Sequence, residues 1–100
     1  MNIKQNVRDQ IKALIDNAIL NAGFEKVNYA IETPREKVNG DFSVNAAMLL
    51  AKSAKMPPRN VALKLVEGID TAGTYIDKVE VAGPGFINFF LNNNWLYDVL

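Results

Sequence analysis

The order of patterns along this 100-residue chain predicts an α+β fold, a small, mostly antiparallel sheet packed against three main helices. Three observations carry that prediction. Apolar residues recur at helical spacing in three separate stretches, each closed by glycine or proline. Two late runs alternate or concentrate β-branched and aromatic residues on either side of a Gly-Pro-Gly connection. The composition, 49% hydrophobic and 22% charged, suits one folded domain spanning residues 1–100.

The first helix is predicted over residues 3–22. Ile3, Val7, Ile11, Leu14, Ile15, Ala18 and Ala22 fall three and four apart and gather on one stripe. Lys4, Arg8, Asp9, Lys12 and Asp16 take the other side and read as a solvated face, and Gly23 supplies the stop. Residues 27–32 (VNYAIE) read as a short strand, and residues 33–40, with Pro34 and Asn39-Gly40, as an exposed loop. Asp41 is a candidate N-cap for a second helix over residues 42–55, nearly apolar through 46–51 and hence deeply buried. Met56-Pro57-Pro58 ends it, and Pro58 suits the first turn of a third helix with Val61, Ala62, Leu65, Val66 and Ile69 inward. Residues 75–81 alternate, with Tyr75, Asp77, Val79 and Val81 on one face and Ile76, Lys78 and Glu80 on the other. After Gly83-Pro84-Gly85 comes the strand FINFFL (86–91), giving an antiparallel hairpin. Asn92-Asn93-Asn94 then caps a segment from Trp95 that suits the start of a helix.

Composition narrows the function classes. The chain has no cysteine and no histidine. That removes disulfides, thiolate metal sites, cysteine nucleophiles, the usual near-neutral general base and any Ser-His-Asp triad. Eleven basic and eleven acidic side chains cancel, which argues against a free-standing protein that holds nucleic acid through phosphates alone. No apolar run approaches the ~20 residues of a membrane span, and no secretory signal opens the chain, so the expected address is cytoplasmic. The acidic residues are dispersed, and no pair has the setting of a catalytic acid and base. Taken alone, this stretch is expected to be non-catalytic.

Two places can carry recognition. Gly83-Pro84-Gly85 is a tight turn rather than a phosphate loop, because a strand follows it and proline removes an amide donor. In the strand after it, period two puts Ile87, Phe89 and Leu91 on a core face and Phe86, Asn88 and Phe90 on the other. An amide between two rings is a costly core surface unless it finds partners. It suits a nucleobase, one ring stacking on the flat face while the amide reads the edge. Five of the nine aromatics lie between Phe86 and Tyr97. The competing reading packs Phe86 and Phe90 under the Trp95 segment with Asn88 bonded to backbone. Lys52, Lys55 and Arg59, with Lys64, form a local basic excess and are candidate phosphate contacts, though cations at a helix C-terminus also complement its dipole.

Three stretches together resemble the N-terminal additional domain of arginyl-tRNA synthetases. They are Gly40-Asp41-Phe42-Ser43-Val44-Asn45-Ala46-Ala47, Pro58-Arg59-Asn60-Val61-Ala62, and Val79-Glu80-Val81-Ala82-Gly83-Pro84-Gly85-Phe86-Ile87-Asn88-Phe89. The last is the specific one. The first is looser, since the family often has a small or hydroxylated residue where Val44 stands. The resemblance implies an α+β tRNA-binding domain that reaches the outer corner of tRNA(Arg), where an aromatic and an amide just after the glycine turn contact a D-loop base. Here those are Phe86 and Asn88, with Phe90 on the same face. It further implies a downstream catalytic domain of the same chain, bearing His-Ile-Gly-His and Lys-Met-Ser-Lys-type signatures, where ATP with Mg2+ is co-substrate. This stretch would then hold no cofactor and no metal, would not meet a membrane, and would be a fragment of a ligase. A protein–protein or interdomain docking module is the alternative.

Overall fold

The computed structural model describes residues 3–92, and in it the predicted α+β class holds. Three helices, α1 (Ile3–Asn21), α2 (Ala46–Ala54) and α3 (Pro58–Glu67), pack against a four-stranded sheet. Its strands are β1 (Ile31–Glu32), β2 (Phe42–Val44), β3 (Ile76–Ala82) and β4 (Phe86–Leu91), in spatial order β1-β2-β4-β3 with every pair antiparallel. Of the expected cap and helix, Asn92 is described, its N–H on Tyr75 O at 2.8 Å, and the rest falls on residues 93–100, outside the described residues.

α1 follows its sequence closely. Val7, Ile11, Ile15, Ala18 and Ile19 are buried in the core. Gly23 takes a left-handed φ of +79°, with its N–H on Leu20 O and the Phe24 N–H on Ile19 O, a Schellman stop. The charged side is not simply solvated. Arg8 donates from Nη1 to Ile31 O at 2.7 Å and lies 5.1 Å from the Phe42 ring centroid, pinning β1 and β2 to the helix.

The second helix begins later than the sequence predicts. Residues 42–44 form β2, in which Phe42 and Val44 face the core and Ser43 faces out. Asp41 is therefore no helix cap. Its N–H donates to Phe89 O at 2.8 Å, and its Oδ2 accepts the Leu91 N–H at 2.9 Å. The reason is register. The backbone polar groups of β4 need a partner on this side, and residues 41–44 supply it. Val44 sits fully buried on this strand and not on a helix.

The strand predicted over 27–32 shortens to Ile31–Glu32 because β2 offers only Val44 and Ser43 as partners. Residues before it are fixed otherwise. The Ala30 N–H donates to Asn45 Oδ1 at 2.8 Å, and Tyr29 OH donates to Asp16 Oδ1 at 2.7 Å. The β3 alternation also breaks, since the register shifts between Ile76 and Lys78. Asp77 is the extra residue, so Ile76 joins Val79 and Val81 opposite Leu91, Phe89 and Ile87. The predicted assignment of Ile76 to the Lys78–Glu80 face is thus corrected by a bulge.

Candidate functional site

The side of the sheet away from the helices carries one row of polar residues in register. Glu32 pairs with Ser43, Ser43 with Asn88, and Asn88 with Glu80. At the β2–β4 step this row opens into a cleft of about 370 Å³. Asn88 and Ser43 lie among its lining with Phe86, the glycine turn at Gly83 and Pro84, and Pro34, Arg35 and Asn39 of the 33–40 loop.

Asn88 is the one buried polar side chain among the described residues, only 4% exposed. The Ser43 hydroxyl donates to its Oδ1 at 2.8 Å, the partner that makes a buried amide tolerable. Phe86, at the start of β4, is 37% exposed, a large ring at the rim of the cleft. The two expected recognition residues thus line one cleft. Phe90 does not: it lies two residues along the strand, opposite Lys78, whose ammonium sits 4.5 Å from the ring centroid. That ammonium also pairs with Glu80 at 3.2 Å.

The turn before Phe86 is held from outside the sheet. A side chain at Gly85, at φ +145°, would meet Pro58 Cβ at 2.9 Å, so the start of α3 lies directly against the turn. Arg59 donates from Nη1 to Gly83 O at 3.0 Å. A cation in the first turn of a helix opposes its dipole, and this carbonyl gives it a partner. Of the three candidate phosphate contacts, Arg59 is therefore beside the cleft. Lys52 and Lys55 are exposed at the end of α2, and their side chains make no ion pair or hydrogen bond to the described residues. Lys55 holds a left-handed φ of 55° as that helix's cap.

Ser43 is the site residue that sequence reasoning missed. With residues 42–55 read as a helix, it had no reason to face Asn88 across a separation of 45 residues. The available signal was Phe42-Ser43-Val44 itself, apolar-polar-apolar after a glycine turn.

A second depression, of about 450 Å³, lies between α1 and residues 26–31. Several of its polar groups already satisfy one another. Lys12 Nζ and Tyr29 OH both reach Asp16 at 2.7 Å. Burial pushes the Asp16 carboxyl up, but these hydrogen bonds and the charges of Lys12 and Lys26 outweigh it and leave it below the usual 3.8. Burial, and then the bond to the Asp16 carboxylate, push the Tyr29 phenol well above its ordinary value. Among the described residues, no group of three His, Cys, Asp or Glu side chains could hold a metal ion. None of the described helices is long and apolar enough to cross a membrane.

The family model for the arginyl tRNA synthetase N terminal domain matches residues 1–91. The arginine–tRNA ligase of Acetivibrio thermocellus is 46% identical over 106 residues, covering 99% of this chain and 19% of that protein. That of Bacillus cereus is 45% identical over 104 residues, covering 100% of this chain and 19% of that protein. The chain therefore spans about a fifth of the length of these curated relatives. Among solved structures, Thermus thermophilus arginyl-tRNA synthetase superposes with a TM-score of 0.77 at 22% identity, over 93% of this chain and 15% of that one. The Plasmodium falciparum enzyme gives 0.74 at 14% identity, over 90% and 17%. These two likenesses establish the fold.

Proposed function

The chain belongs to the arginyl-tRNA synthetase N-terminal domain family, and from that premise we propose that it is the tRNA-binding domain of an arginine–tRNA ligase, contacting the D-loop at the elbow of tRNA(Arg). The observation that carries this reading is the pairing of a rim aromatic with a buried, half-satisfied amide in one cleft, Phe86 beside Asn88. A base extruded from the D-loop stacks on Phe86 while the Asn88 amide hydrogen-bonds its edge. Arg59, Lys52 and Lys55 are assigned to nearby phosphates. The catalytic domain, with ATP and Mg2+, is placed in the remainder of the same longer, cytoplasmic chain, and the 100 residues here bind but do not catalyse.

Magnitudes support this division. One base–ring stack contributes about 1–3 kcal/mol, and one hydrogen bond about 1 kcal/mol. Their sum, about 2–4 kcal/mol, corresponds to a Kd of about 1 mM at best. A contact that weak works when it is tethered to a body already holding the rest of the tRNA, because effective concentration replaces affinity.

The docking alternative loses ground on the same face. Phe90 sits under Lys78, and Phe86 is bordered by Ser43, Asn88 and Arg35 in the cleft. A cleft that sets one ring beside an amide and a hydroxyl suits a base.

The test uses the full-length ligase. Phe86→Ala and Asn88→Ala are each expected to raise KM for tRNA about tenfold, the equivalent of about 1.4 kcal/mol, and to leave ATP and arginine binding, measured by calorimetry without tRNA, unchanged. Lost arginine or ATP binding, or unchanged tRNA kinetics, would overturn the assignment.

A further inference from the structure

We propose that Ser43 is a positioning residue that fixes which end of the Asn88 amide faces the cleft, so that the site selects for a hydrogen-bond acceptor on the base. This deepens, and rests on, the reading of the cleft as a base site.

The two ends of a carboxamide are nearly identical in shape, and only hydrogen bonding decides which points where. In Asn88 the Ser43 hydroxyl takes Oδ1 at 2.8 Å. The Nδ2 end makes no hydrogen bond to the described residues. Yet every fully buried side-chain nitrogen and oxygen among them has a partner. Nδ2 therefore keeps contact with solvent although the residue as a whole is 4% exposed, and the opening that Asn88 lines is the cleft. An amide fixed this way presents N–H donors and holds back its carbonyl.

The surroundings favour the same polarity. Glu32 and Glu80 flank the Ser43–Asn88 pair in register on either side. Their carboxylates favour the amide's hydrogen-bearing end over its oxygen along the exposed row. Ser43 itself stands on β2, whose backbone is paired on both sides, by β1 and β4. It is a rigid place from which to hold a second side chain. A ligand atom that satisfies Nδ2 must be an acceptor, a ring nitrogen or a carbonyl oxygen. A base presenting an N–H there would leave two donors facing each other.

The experiment follows the Asn88 side-chain NH2 signals of the chain by 15N NMR, adding D-arm hairpin RNAs that differ only in one loop base. The wild type is expected to show large shifts of those signals and at least a tenfold spread of Kd among the four bases. Ser43→Ala should shrink that spread to about threefold or less while the backbone spectrum stays native. Ser43→Thr, which keeps the hydroxyl, should restore it. Asn88→Asp, which replaces the donor by an acceptor, should abolish preference for the favoured base. A Ser43→Ala variant with the wild-type spread and wild-type NH2 shifts would overturn the positioning role while leaving the base site standing. Asn88→Ala with unaltered binding and spread would overturn the base site itself.

Discussion

Gly40 and Lys55 occupy the same uncommon half of backbone space with opposite consequences. Gly40 has φ +89°, and a Cβ there would stand 2.8 Å from Phe89 O. Gly40→Ala should therefore destabilise the chain by about 1–3 kcal/mol, read as a lowered urea midpoint at unchanged m-value. Lys55 caps α2 at φ 55° and carries a Cβ in a conformation that disfavours one. Lys55→Gly should raise stability by about 1 kcal/mol. Residues whose role depends on near neighbours were legible in the sequence: Gly23 as the α1 stop, Pro58 as the first residue of α3 and Phe86 and Asn88 on the face away from the helices. Ser43 and Asn45 were not. Ser43 meets Asn88, and Asn45 Oδ1 accepts the Ala30 N–H at 2.8 Å. Both partners lie far along the chain, 45 and 15 residues away, and the local pattern at Phe42-Ser43-Val44 says nothing of which residues they meet.

At the scale of elements, the misreadings share one cause, a tertiary partner overriding a local pattern. Residues 42–44 extend an alanine- and leucine-rich run after a good capping residue, and β4 and β1, lying alongside, make them a strand. Three residues are too few for alternation to stand out against a helical neighbour. The Asp77 bulge was hidden in the same way, since its cause is the β4 register. The segment before β1 is held without strand pairing by the Lys12–Asp16–Tyr29 cluster, and that makes its attachment pH-sensitive. The folded-state pKa of Asp16 lies below its ordinary 3.8. Its contribution is thus present above 3.8 and disappears as pH falls through the lower folded value. Asp16→Asn keeps an acceptor for Tyr29 and removes the titration. The stability gap between wild type and this variant, from urea midpoints at pH 6, 4 and 2, should be largest at pH 6 and shrink as the pH falls. A gap that does not change between pH 6 and pH 2 would show that the charge contributes nothing.

At the scale of the whole molecule, eleven positive and eleven negative charges cancel, and what distinguishes the surface is where the cations are left uncommitted. Arg8 is spent on Ile31 O, Lys12 on Asp16, and Lys78 on Glu80 and the Phe90 ring. Lys52 and Lys55 face solvent without such partners among the described residues. Under the proposed function, a neutral domain with a few available cations would add little long-range attraction for RNA in general, and its local contacts would matter once the elbow is already near. The two kinds of contact separate by their response to salt. Each phosphate contact removed should flatten the slope of log K against log salt by about 0.7–0.9. Removing a stacking ring should lower K at every salt concentration and leave the slope alone. In the full-length ligase, Lys52→Gln with Lys55→Gln is therefore expected to reduce the slope of tRNA binding by about 1.4–1.8, while Phe86→Ala gives a parallel line displaced downward. Lys55→Gly makes the sharpest case, because it should bind tRNA with a flatter slope while melting higher than wild type. Weaker binding from a more stable domain cannot come from loss of fold, so it isolates the charge as the cause. An unchanged slope in the double variant would place the phosphates elsewhere on the domain and leave Arg59, beside the glycine turn, as the cation to test next.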